Sequence, residues 1–167
     1  MPPDVTIPAG TAVSLADFTR SELIVPQLRE RDTAGIISEL SHVLQRHGCV
    51  PDVLPFYQTA LNRELLDNSA LECGIAFPHA RLSGVKQLQF ALGRARAPVI
   101  WGAKGAWPVQ LVFLLAVPAT DAAAYLHLLS SLARLGQQTG LLDNLRAAGD
   151  AAVILGALEK IKLRRER

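Results

Sequence analysis

Nearly every position from Val109 to Val117 is apolar, and Pro118 closes the run. A strand with one wet face alternates polar and apolar residues, whereas a strand apolar at successive positions is buried on both faces. The run is far too short for a membrane span, which takes roughly 20 apolar residues. A central strand covered by helices on both sides is therefore expected here. With half of its 167 residues apolar and 19% charged, the chain has enough material for both covering layers and a sizeable core.

The flanking segments read accordingly. Residues 1–13 carry three prolines and no periodic pattern, which reads as a flexible N-terminal arm before a single domain over 14–163. Ser14 is placed to cap a short turn through Leu15 and Phe18, and Leu23-Ile24-Val25 is a short strand ended by Pro26. Asp32 starts a helix with Ile36, Ile37, Leu40, Val43 and Leu44 on one face and Gly48 just past its end. His42 and His47 are read as solvent-facing. A second helix begins near Asp52, with Val53, Leu54, Tyr57, Ala60 and Leu61 as its apolar stripe.

Strand patterns follow. Leu71, Cys73, Ile75 and Phe77 alternate; Ser83-Gly84 marks a turn. Leu88, Phe90, Leu92 and Ala95 share the face of the next strand, with Arg94 and Arg96 outward, and Val99-Ile100-Trp101 adds a short strand or bend. Three helical segments close the chain: Asp121 to Leu135 with Tyr125, Leu128, Leu129 and Leu132 on one face; a second from Thr139 with Leu141, Leu142 and Leu145; and a third capped by Asp150 with Val153, Ile154, Ala157, Leu158 and Ile161 inward. This order gives an α/β (α+β-like) fold, a small mixed β-sheet sandwiched between helices.

Several function classes fall away. A formal charge of +2 gives no general attraction to nucleic acid, and the basic end from Lys160 to Arg167 reads as a solvated helix end. No basic leader followed by an apolar core opens the chain, so no secretory signal or membrane insertion is expected. Cys49 and Cys73 make no disulfide framework, which suits a reduced cytoplasm. No Cys/His spacing suits zinc and no glycine-rich loop suits a phosphate, so neither metal nor cofactor is expected.

The chemistry concentrates at Pro78-His79. Pro78 fixes its own φ and lacks an N–H, so a strand through Ile75 and Phe77 should stop pairing there. That leaves His79 at a strand end behind a stiff residue. Neutral imidazole is a competent nucleophile near neutral pH. The plain alternative is a histidine in an ordinary loop. Arg63, at the end of the second helix, is by composition a surface arginine that a compact fold can bring to His79.

Arg63-Glu64, then Ser69, then Gly74-Ile75-Ala76-Phe77-Pro78-His79-Ala80-Arg81 together resemble the fructose/mannitol-type IIA domain of the bacterial sugar phosphotransferase system, a family that includes the nitrogen-regulatory IIA protein. The strand from Pro108 to Pro118 resembles that family's proline-ended strand. Tyr125-Leu126-His127-Leu128-Leu129-Ser130 resembles its His-Leu helix. The likeness spans about residues 14 to 160 and implies the type-2 IIA fold. It also implies a histidine that takes a phosphoryl group from a small phosphocarrier protein (HPr or an equivalent), then passes it to a IIB domain or signals with it. His79 matches the phosphoacceptor. Arg63 matches the family's arginine, suited to phosphoryl charge because one guanidinium serves two oxygens. Ser69 either offers a hydroxyl or caps a turn.

The departures are specific. Tyr125 stands where most relatives have a second active-site histidine. His127, about 200° further round a helix, cannot replace it and resembles a peripheral histidine of nitrogen-type relatives. Tyr125 either donates its OH to a phosphoryl oxygen or fills space under the site. Ala70 stands for the usual threonine, Glu72 interrupts a glycine-rich step, and Lys104 lies where an acidic residue is frequent. Two functions follow: a phosphohistidine carrier, or a degenerate IIA module that docks on regulatory targets with little phosphoryl flux. A metal hydrolase built on the four histidines lacks paired ligands.

Overall fold

The computed structural model describes residues 14–103, 107–120 and 122–163. The arm expected over residues 1–13, Lys104 and the last four residues of the basic end lie outside them. Two 3₁₀ turns, Leu15–Phe18 and Ser21–Leu23, lead into strand β1 (Ile24–Val25). Helices α1 (Thr33–Arg46) and α2 (Val53–Leu66) follow, then strands β2 (Ile75–Ala76), β3 (His79–Leu82), β4 (Gln89–Ile100) and β5 (Pro108–Pro118). Helices α3 (Ala122–Leu135), α4 (Thr139–Ala147) and α5 (Ala151–Glu159) complete the chain. No helix among the described residues is long and apolar enough to cross a membrane.

The sheet is mixed and runs β1-β4-β5-β2, with β3 also on β5. β4 and β5 pair antiparallel, as their short connection demands; the other pairings are parallel. β5 is the central strand, and both faces are covered as its unbroken apolar run requires. Leu111, Phe113, Leu115 and Val117 pack with α3, α4, α5 and the first 3₁₀ turn. Val112, Leu114 and Ala116 pack with α1 and α2.

Helix ends follow the expected chemistry. Asp32 accepts from the Gly35 amide at 2.7 Å, Asp52 from Leu54 at 3.3 Å and Asp150 from Ala152 at 2.7 Å. The inward face of α1 is as read, with Ile36, Ile37, Leu40, Val43 and Leu44 all buried. His42 and His47 are exposed.

Several local expectations are corrected. The buried line of α2 is Phe56, Ala60 and Glu64, while Leu54 is exposed, because the helix turns its i, i+4 row to the sheet. Val153 on α5 is likewise exposed. The alternating stretch from Leu71 is strand only at Ile75–Ala76: Leu71 N–H closes a turn on the Ile75 carbonyl at 2.8 Å, and Gly74 takes φ +93°. In β4, Ala95 joins Ala91 on the α1/α2 side. Arg94 turns inward: its Nε donates to the Arg146 carbonyl at 2.5 Å and its Nη1 to that of Pro26 at 2.9 Å. Val99-Ile100 is the end of β4 itself, beyond a register shift between Arg94 and Val99.

Candidate phosphoacceptor site

β2 and β3 lie along the same side of β5, away from β4, so together they form a sheet edge. Ile75 pairs with Leu111 and His79 with Leu115. Pro78 has no N–H, yet its carbonyl accepts from Leu115 at 2.9 Å. Pairing therefore resumes after the proline, and His79 opens β3 where the sequence reading had it end a strand. Proline keeps its carbonyl, which faces β5 and holds the register; the N–H it lacks would face β5 too, so Phe77 and Pro78 drop out of the pairing between β2 and β3.

The His79 ring lies on the α3 side of the edge. Tyr125, in the first turns of α3, places its OH 2.8 Å from His79 Nε2, with the ring centroids 5.2 Å apart and the planes tilted by 50°. His79 Nδ1 is enclosed and meets no partner at hydrogen-bond geometry. Nε2 is thus the ring nitrogen through which chemistry can pass. Burial holds the His79 pKa below its ordinary value, the positive charge of Arg63 lowers it further, and the Phe77 backbone opposes both more weakly. The ring is neutral at pH 7. Burial raises the Tyr125 pKa, against the charges of Arg63 and Arg81, so its phenol keeps its proton.

Arg63 comes from the last turn of α2, on the opposite helical layer, with an exposed side chain. Its field reaches both rings. The edge is where the two layers can meet: one supplies a guanidinium, the other a phenol, and the sheet supplies the imidazole between them.

Ser69 is engaged elsewhere. Its Oγ donates to Glu64 Oε1 at 2.7 Å and accepts from the Phe77 amide at 2.8 Å. Its hydroxyl thus supports the strand leading to His79. His127, two residues beyond Tyr125, has a different neighbourhood; its carbonyl accepts from Ser131 Oγ at 3.1 Å.

The sequence reading passed over two participants. Arg81 follows His79 by two residues, so it shares its strand face. It anchors Nε and Nη2 on the Ala119 carbonyl at 3.1 and 2.5 Å, in the connection that leads into α3. Glu64 is buried, and the signal was present: it continues the i, i+4 row of Phe56 and Ala60.

Comparison with known proteins decides the family. Residues 17–161 match the family described as phosphoenolpyruvate-dependent sugar phosphotransferase system, EIIA 2. The chain belongs to this EIIA type-2 family. It is 30% identical over 149 residues to a nitrogen regulatory protein of Bradyrhizobium diazoefficiens, covering 86% of this chain and 94% of that one. A 2-O-alpha-mannosyl-D-glycerate-specific EIIABC component of Escherichia coli is 27% identical, across 88% of this chain but 23% of the longer protein. The crystal structure of the nitrogen regulatory protein IIA-Ntr from Neisseria meningitidis superposes with a TM-score of 0.71 at 28% identity, over 86% of this chain and 98% of that one. IIA mannitol from Escherichia coli gives the same TM-score at 19% identity, over 83% and 97% of the two chains, a likeness of fold. The mixed sheet between helices is thus the EIIA type-2 fold.

Proposed function

We propose that this EIIA type-2 protein carries a phosphoryl group on His79 Nε2. The group comes from a phosphohistidine on a small HPr-like phosphocarrier and is passed to a IIB domain or read as a signal, in the cytoplasm. The observation that carries this reading is the state of the His79 ring: neutral, with Nδ1 enclosed and Nε2 meeting only a hydroxyl.

The chemistry is balanced without a base. The Nε2 lone pair attacks phosphorus in line as the bond from phosphorus to the donor nitrogen breaks, and the donor ring leaves with that electron pair. The Nδ1 proton of His79 stays in place. Tyr125 OH, which holds Nε2 at rest, swings onto an incoming phosphoryl oxygen. Arg63 stabilises the charge spread over these oxygens. Exposed Leu65 and Leu66 follow Arg63 on α2, and exposed Leu126 follows Tyr125 on α3. Apolar side chains beside the reacting group suit a protein donor. A complex of enzyme IIA mannitol with phosphorylated IIB mannitol has been solved for a fold relative, which supports a IIB domain as recipient.

A second reading, a regulatory module with little phosphoryl flux, draws on the relatives named nitrogen regulatory protein and on Tyr125 at the second-histidine position. Incubation with phosphoenolpyruvate, enzyme I and a phosphocarrier, followed by intact mass, separates the two. An acid-labile gain of one phosphoryl group, lost in His79→Ala, supports the carrier. An unchanged wild-type mass with several cognate phosphocarriers sinks it.

A further inference from the structure

Glu64 is a charged residue in an apolar setting, only 3% exposed. Its Oε1 collects three donors: the Ser69 amide at 2.6 Å, Ser69 Oγ at 2.7 Å and the Trp101 indole N–H at 2.7 Å. None of the three is a cation, and the ion pairs among the described residues do not include Glu64. A buried carboxylate without a countercharge is a poor way to gain stability, since well-packed apolar groups serve as well or better. What it achieves is to join three separate segments at one atom: the end of α2, the turn after it and the end of β4.

We infer that Glu64 is a positioning residue for the phosphoryl site: acting through Ser69, it fixes the distance between the guanidinium of Arg63 and the imidazole of His79. The inference rests on the carrier reading above. Glu64 shares a peptide bond with Arg63, so anchoring its carboxylate fixes the α2 turn that presents the guanidinium. Ser69 Oγ, with its proton committed to Glu64, has its lone pairs free and accepts from the Phe77 amide at 2.8 Å. Phe77 stands before Pro78, whose ring fixes φ, and Pro78 stands before His79. The path from Phe77 to the imidazole is therefore stiff. Misplacement by about 1 Å can slow an in-line reaction about 100-fold.

The test compares wild-type protein with Ser69→Ala, Ser69→Thr, Glu64→Gln and Glu64→Ala in the full chain. Phosphoryl transfer is followed from a phosphorylated HPr-type carrier over a range of donor concentrations, and Phe77 amide exchange is followed by NMR. Ser69→Ala should exchange the Phe77 amide at least about 10-fold faster and lower the saturating rate about 10- to 100-fold. The half-saturating donor concentration should stay within about threefold, because the docking surface is untouched. Ser69→Thr keeps the hydroxyl and Glu64→Gln keeps the accepting oxygen, so both should stay within about threefold of wild type. Should Glu64→Ala not fold, Ser69→Ala decides alone. A Ser69→Ala protein with wild-type saturating rate overturns the inference, and so does one whose Phe77 amide stays protected. If wild-type protein accepts no phosphoryl group, the carrier reading fails by itself. The coupling is then judged from the His79 titration, which should move back toward its ordinary midpoint in Ser69→Ala; an unmoved titration overturns it.

Discussion

His79 sits opposite Leu115 in the same register that places Ile75 opposite Leu111, four residues further along both strands. No residue is gained or lost across Phe77-Pro78. The histidine is therefore held by a paired strand on β5, the central strand of the sheet, with Leu115 itself fully buried. An imidazole mounted this way is preorganised, and several measurements follow from its surroundings.

Substitution Tyr125→Phe removes the hydroxyl 2.8 Å from Nε2 while leaving the ring contact. The phosphorylation rate should fall about 10-fold, the effect of losing one aimed hydrogen bond of roughly 1.4 kcal/mol. The OH donates to unprotonated Nε2 and so favours the neutral ring; its loss should raise the His79 pKa, read from the ring carbon protons by NMR. Equal rates for the two proteins would leave Tyr125 a packing residue.

Removing Arg63 acts on two readouts in predictable directions. Arg63→Ala should slow phosphoryl acceptance about 100-fold or more, since a preorganised charge at a phosphoryl group typically supplies that much. It should also raise the His79 pKa, because the guanidinium now lowers it. Arg63→Lys should recover the pKa effect better than the rate, since an ammonium lacks the planar fork.

The folded-state His79 pKa lies below the unfolded value of about 6.5. Both states are neutral above that value, and stability there is complete with respect to this residue. As pH falls below 6.5 the unfolded chain protonates first, so stability drops until the folded ring titrates as well. Denaturant midpoints between pH 7.5 and 5 should fall more for wild type than for His79→Ala. Phosphoryl acceptance should decline with falling pH about a midpoint below 6.5. A decline centred above 6.5 would contradict a neutral, desolvated ring.

Gly74 precedes β2 at φ +93°, and its carbonyl accepts from Gln110 at 2.9 Å and Leu111 at 3.2 Å. A Cβ there would sit 3.0 Å from Arg146 Nη2, and Arg146 already donates to the Cys73 carbonyl. Gly74→Ala should cost about 1–2 kcal/mol, from the backbone strain of a left-handed conformation. Thermal or urea unfolding measures it, and a variant as stable as wild type would show that the turn relaxes freely.

Much of this architecture is legible in the chain because burial leaves a periodic trace. β5 announces itself by being apolar on both faces, and α1 by a five-residue stripe that is entirely buried. The Arg63, Pro78-His79 and Tyr125 pattern points to one site, and the fold brings His79 and Tyr125 into contact with Arg63 acting on both. What escapes is set by pairing partners that are remote in sequence. Continuity of β2 and β3 through Pro78 depends on β5 accepting the register. The inward turn of Arg94 depends on two carbonyls, of Pro26 and Arg146, that are distant along the chain. The row of Phe56 and Ala60 signals that Glu64 is buried, but its partner Trp101 is 37 residues away and emerges only from the fold.

The site is also uneven in the chain length it must close. Ser69 and Phe77 are 8 residues apart, whereas Tyr125 and His79 are 46 apart. For flexible loops that difference is about 1.5 kcal/mol of additional closure entropy. The half of the site built on Glu64, Ser69 and Phe77 is therefore favoured to assemble from local encounters. Tyr125 can dock only after β4, β5 and the start of α3 are in place, so its contact with His79 reports completion of the long-range fold.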